Sequence, residues 1–176
     1  YNPVASGVSS YRESQDVRVK LWGGNYTYNI LSVGNLKKQK DHETLLKAFS
    51  LLPKELNAKL IILGEGNLRN HLSMLIEKLD LLDRVDLPGF VLDPLPWFRS
   101  ADLFVLSSLW EGFGNVLVES LESGVPIVST DCPSGPAEIL DNGRYGKLVS
   151  PANPQALAST IKSSLFETHD RSTLML

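Results

Sequence analysis

The chain has 176 residues, 43% of them hydrophobic and 21% charged, enough for one folded domain with a sizeable core and too little for two ordinary ones. A formal net charge of -3 supplies no basic field for nucleic acid, and no Lys/Arg block marks a polybasic membrane patch. No apolar run approaches the roughly 18 residues that a membrane span requires, and the N-terminus lacks a signal-peptide pattern.

Residues 1–25 mix Pro, Ser, Gly and both charges without clear periodicity, and read as a linker with at most a short strand over Val17 to Leu21. Residues 26–176 then carry a regular pattern. Apolar runs at Asn29 to Val33, Lys59 to Leu63, Val85 to Leu87, Leu103 to Leu106, Pro126 to Ser129 and Gly146 to Val149 predict six strands. Helical patterns fall between most of them. One follows the N-cap Asp41, and a clear amphipathic helix runs through Leu68, Leu72, Leu75, Ile76 and Leu79. A short one spans Leu92 to Arg99, and another begins near Asn115 and runs through Leu121. Pro136 and Glu138 suit the first turn of a helix through Leu140, and Asn153 with Pro154 opens a last one through Leu165.

Alternation of this kind implies an α/β domain, a doubly wound, Rossmann-like parallel sheet covered on both faces. If the strand order is 3-2-1-4-5-6, the loops after the first and fourth strands meet where the order reverses, which is where such sheets bind ligands. Those loops are Gly34 to Lys40 and Ser107 to Asn115. The first offers Lys37, Lys38 and Lys40 to the second; Lys37 and Lys38 read primarily as a solvated loop. Cys132 is the single cysteine, which excludes an intrachain disulfide framework and fits a reducing compartment. With no His near it in sequence it reads as a small semi-buried residue. His42, His71 and His169 show no metal-ligand spacing.

The second loop carries the chemistry. Glu111 precedes the helix and Glu119 lies about one turn inside it, roughly 6 Å along the axis. A helix mouth at Gly114, Asn115 and Val116 offers unpaired N–H groups and partial positive charge, which suit phosphate. A carboxylate on either side would hold diols, each charge-assisted bond contributing about 1.5 to 3 kcal/mol. A nucleoside at one end of a diphosphate and a polyhydroxylated group at the other describe a nucleotide sugar. Against this stands the simpler reading that Glu in a first helical turn is favoured by the dipole alone.

The run Ser107 Ser108 Leu109 Trp110 Glu111 Gly112 Phe113 Gly114, with Glu119 eight positions after Glu111, resembles the EX7E signature of the group 1 retaining glycosyltransferases, family 4, which have the GT-B fold. Ser32 Val33 Gly34 Asn35 Leu36 followed by Lys40 looks like the family's glycine, arginine, leucine and lysine segment, with Asn35 where the arginine usually stands. Further matches run through Gly64 Glu65 Gly66, Val85, Gly89 and Phe90, Ala101 Asp102, Gly124 Val125 Pro126, and Ser134 Gly135 Pro136 with Glu138.

The resemblance implies the C-terminal, donor-binding half of such an enzyme, with the other half, which carries most of the acceptor site, lying before Tyr1. It implies transfer of a sugar from a UDP- or GDP-sugar to an acceptor hydroxyl with retention of configuration, in glycan, glycolipid or polysaccharide biosynthesis. Glu111 and Lys40 would be the catalytic residues, Glu111 holding sugar hydroxyls and Lys40 the leaving diphosphate. Donor contacts would come from Gly34, Asn35, Lys40, Phe90, Val91, Glu111, Gly112, Phe113, Gly114, Asn115 and Val116, with Glu119 on the ribose. Lys37 or Lys38 would replace part of the charge lost at Asn35.

No cofactor and no metal are expected, the chain containing no Asp-x-Asp. The expected partners are the nucleotide sugar and an acceptor glycan or lipid-linked sugar, with no nucleic acid. The expected location is cytoplasmic, with peripheral contact at the inner membrane face in the full-length protein, and the isolated domain is expected to be inactive. Three alternatives stay open: an epimerase of the same fold, a phosphorylase of the same fold, and a non-catalytic α/β interaction module such as a receiver.

Overall fold

A computed structural model describes residues 14–169. Its six strands are β1 (Tyr28–Val33), β2 (Ala58–Leu63), β3 (Val85–Gly89), β4 (Leu103–Leu106), β5 (Ile127–Thr130) and β6 (Lys147–Val149). They form one sheet in the order β3-β2-β1-β4-β5-β6, every neighbouring pair parallel. Strand positions and order are those expected from the apolar runs, to within a residue or two at the ends.

Helices cover both faces, as the continuous burial of β2, β4 and β5 requires. Along β1, Ile30 joins one core and Leu31 the other, because successive side chains point to opposite faces. The Ile30 core takes in α2 (His42–Ser50), α3 (Arg69–Lys78) and α7 (Pro154–Phe166), through Leu45, Phe49, Leu72, Leu157 and Ile161. On the Leu31 side stand α4 (Leu95–Ser100) and α5 (Asn115–Glu122), through Phe98, Leu117 and Leu121, with α6 (Pro136–Ile139) beside them. Caps end the helices where the sequence places them. Asp41 accepts from the Thr44 amide at 3.3 Å and Asn153 from Ala156 at 2.9 Å.

The strand reading of Val17 to Leu21 is corrected. This segment is a helix, α1 (Gln15–Trp22), closed by Ser14, whose side chain accepts from the Val17 amide, and by Gly23 in the left-handed conformation. Alternation of Val17, Val19 and Leu21 imitates a strand, yet Val17 and Val19 are exposed. The buried pair is Arg18 and Trp22, one helical turn apart. Trp22 donates to Ser100 Oγ at 2.9 Å and stacks edge-on with Trp97, and Arg18 pairs with Asp102 at 2.9 Å. Residues 1–13 of the expected linker lie outside the described residues.

Candidate donor-binding site

Strand order reverses between β1 and β4, and the loops that follow them touch. The Leu109 amide donates to Gln39 O at 2.8 Å, Gln39 Nε2 to Trp110 O at 3.0 Å, and Ser107 Oγ to Lys40 O at 2.8 Å. A crevice at this point, beyond the carboxyl ends of the strands, is where an open α/β sheet receives ligands.

An ion pair joins the two loops. Lys40 Nζ lies 2.6 Å from Glu111 Oε1, with the two side chains 16% and 5% exposed. Lys40 ends a short 3₁₀ turn and reaches Glu111 by lying across Gly34, where its Cδ and Cε stand 3.2 Å from the place a Cβ would occupy. A Cβ at position 34 would press on the lysine stem, which would have to give by a few tenths of an ångström. Ser108 Oγ also donates to Glu111 Oε1, and Thr130 Oγ1 donates to Ser108 O at 2.6 Å.

Beside the pair, α5 begins at Gly114 (φ 66°), and among the described residues the amides of Gly114, Asn115 and Val116 donate to no protein acceptor. Gly112, Phe113 and Asn115 are exposed, while Ile139 packs against Gly114 from α6. Glu119 is exposed on the flank of α5, one turn past this mouth, and no contact ties it to Lys40 or Glu111. On the other side of Gly34 a cleft of about 240 Å³ is lined by Val33, Gly34, Asn35, Gly64, Phe90 and Val91. Phe90 is 74% exposed at its rim. Asn35, Lys37 and Lys38 are exposed on the loop, and neither lysine has an ion-pair partner among the described residues. The loops that meet are those expected from the sequence, whereas the bond from Lys40 to Glu111 joins residues 71 positions apart and has no local signal.

Ser108, Thr130 and His42 were not singled out. The Thr130 hydroxyl carries no local signal, because what it bonds is set by strand register, whereas Ser108 stands three residues before the Glu111 it bonds. His42 follows the N-cap Asp41 at the start of an apolar helix face, which was the available sign that its ring is buried, at 3% exposure. Its Nδ1 has no hydrogen-bond partner. Burial, with help from the Lys40 charge, lowers its pKa from 6.5 to about 4. The unfolded chain therefore binds a proton at higher pH than the fold does. The stabilisation from keeping His42 neutral is complete above pH 6.5 and is lost as pH falls toward 4. Between pH 7 and pH 5 we expect His42 to account for about 2 kcal/mol of lost stability. Urea unfolding of His42→Gln at both values checks this, since the variant should show a correspondingly shallower decline. Cys132 is buried, and burial raises its thiol pKa, so it is a poor nucleophile at neutral pH.

A family model described as glycosyl transferases group 1 matches residues 24–173. The chain is 40% identical over 136 residues to the N-acetylgalactosamine-N,N'-diacetylbacillosaminyl-diphospho-undecaprenol 4-alpha-N-acetylgalactosaminyltransferase of Campylobacter jejuni, covering 77% of this chain and 37% of that protein. It is 32% identical over 145 residues to the lipopolysaccharide core biosynthesis glycosyltransferase LpsE of Rhizobium meliloti, covering 82% of this chain and 42% of that protein. The chain thus spans about two fifths of these relatives' length. The crystal structure of Anabaena HepE in complex with UDP superposes with a TM-score of 0.80 at 26% identity, over 94% of this chain and 47% of that one. The six-stranded all-parallel architecture is that of GT-B glycosyltransferase structures.

Proposed function

The chain belongs to the group 1 glycosyl transferases, and we propose from this that it is the C-terminal, donor-binding domain of a retaining, family 4 enzyme. In that role it holds a UDP- or GDP-sugar while the sugar passes to an acceptor glycan or lipid-linked sugar. The observation that carries this reading is the convergence of Lys40, Glu111 and the free amides of α5 where strand order reverses. UDP bound to HepE and the glycosyltransferase relatives from Campylobacter and Rhizobium support it.

In the proposed pose the diphosphate lies on the Gly114 to Val116 amides with Lys40 beside it, and the base enters the cleft at Phe90 and Val91. The sugar faces Glu111, and the EX7E partner Glu119 grips the ribose diol. As the acceptor oxygen bonds to the anomeric carbon, the bond from that carbon to the diphosphate oxygen breaks. The hydroxyl proton passes to the departing diphosphate oxygen, and the nucleoside diphosphate leaves with its remaining charge stabilised in place by Lys40 and the amides. Gly34, Asn35, Gly112 and Phe113 complete the donor contacts. Asn35 supplies a neutral donor where the family carries arginine, with Lys37 or Lys38 supplying charge in its place. No metal or other cofactor is required in this scheme, and the full-length enzyme works from the cytoplasm at the inner membrane face.

A thermal-shift panel of UDP, GDP and ADP sugars tests the reading: one nucleotide class should stabilise the chain, and absence of any shift would contradict donor binding. Within that panel Glu119→Ala should weaken the free nucleoside diphosphate roughly ten- to a hundredfold, the loss of one charge-assisted diol contact. Unchanged affinity would remove Glu119 from the ribose.

A further inference from the structure

We propose that Ser108 and Thr130 are positioning residues that aim the Glu111 carboxylate so that its Oε2 oxygen meets the sugar, given the donor-binding role proposed for Glu111. Lys40 Nζ and Ser108 Oγ both donate to Oε1. One carboxylate oxygen has two lone-pair sites, so Oε1 is fully engaged. Oε2 accepts no protein hydrogen bond among the described residues, and it is not among the buried side-chain atoms left without a partner. It is therefore the carboxylate oxygen left open to a further partner.

Two donors on one oxygen restrain the carboxylate more than a single contact would. Ser108 is completely buried and Thr130 is 1% exposed, so neither touches a ligand directly. Ser108 stands two residues past the end of β4 and Thr130 is the last residue of β5. These strands are paired in register at Leu106 and Ser129. The Thr130 hydroxyl bonded to Ser108 O ties the serine to the sheet and sets the direction of its own hydroxyl. A rigid sheet thus carries the aim of a loop residue, which is how a site attains sub-ångström placement.

A serine that merely satisfied a buried carboxylate would affect stability and every ligand alike. Discrimination between sugar and diphosphate separates the two roles. The probes are UDP-, GDP- and ADP-glucose and the three free diphosphates, titrated calorimetrically into the whole chain. We expect the wild-type chain to bind one nucleotide sugar more tightly than its diphosphate. Ser108→Ala should lose roughly tenfold of that sugar increment while keeping the diphosphate within about twofold.

Adding Glu111→Ala to Ser108→Ala should lose no more than Glu111→Ala alone, because the serine acts through the glutamate. Thr130→Val, which keeps the shape, should lose about threefold in the same increment and serves if the serine variant does not fold. An intact increment in both variants, or equal losses for sugar and diphosphate, would overturn the positioning role. A wild-type chain that binds diphosphate with no increment for the sugar overturns it through Glu111. One that binds none of the six probes overturns the donor-binding reading as well.

Discussion

Replacing Lys40 by methionine is expected to cost about 3 kcal/mol of stability at neutral pH and roughly ten- to a hundredfold in affinity for a nucleoside diphosphate. The first loss follows from burial. The Glu111 side chain is only 5% exposed, and without Lys40 its largely buried charge keeps the Ser108 hydroxyl as its one side-chain hydrogen bond among the described residues. The second follows from the charge that the proposed pose places beside the phosphates. These two losses come apart in the double variant Lys40→Met with Glu111→Gln. Neutralising both partners removes the uncompensated charge, so urea unfolding should recover most of the stability, whereas diphosphate binding should stay weak. Recovery of both would make Lys40 a structural partner of Glu111 alone.

Gly64→Ala is expected to be at least as damaging, about 3 kcal/mol or more, through backbone and not charge. Gly64 sits at φ 144°, and a Cβ there would lie 2.1 Å from Gly34 O. Both the conformation and the space forbid a side chain. The Gly64 amide donates to Gly89 O and the Gly34 amide to Leu63 O, each at 2.9 Å, so relief of the clash must move the ends of three strands and the loop that carries Lys40. Gly112→Ala is the matched control. Nothing stands within 4 Å of the Cβ it would add, so its stability should remain within about 0.5 kcal/mol of the wild type. Chemical unfolding of the two variants side by side checks the pair, and a Gly64→Ala chain as stable as the control would contradict the close approach.

Much of this architecture was legible because burial on both faces writes strands as unbroken apolar runs, as in Leu60 to Leu63 and Leu103 to Leu106. Alternation with capped helices then left few topologies. The first helix escaped because its buried face is made of Arg18 and Trp22, a cation and an indole held by Asp102 and Ser100 from a distant segment. No hydrophobic stripe marks it, although Ser14 and Gly23 were readable as its caps. In the site, Glu111 and the α5 mouth could be found because strand, glycine turn and helix are contiguous in sequence. The Lys40 bond to Glu111 and the Thr130 bond to Ser108 could not, because they depend on which strands become neighbours and in what register. For His42 the sequence offers only its place on the apolar face of α2, while the burial that lowers its pKa is completed by elements elsewhere in the chain.

Donor binding across the mouth of α5 is tested most directly by following backbone amide resonances while a UDP-, GDP- or ADP-sugar is titrated into the chain. The account predicts that the amides of Gly114, Asn115 and Val116 shift together with those of Gly34 and Val91, at one common saturation point. Saturable shifts confined to other regions, with these five amides unmoved, would contradict it.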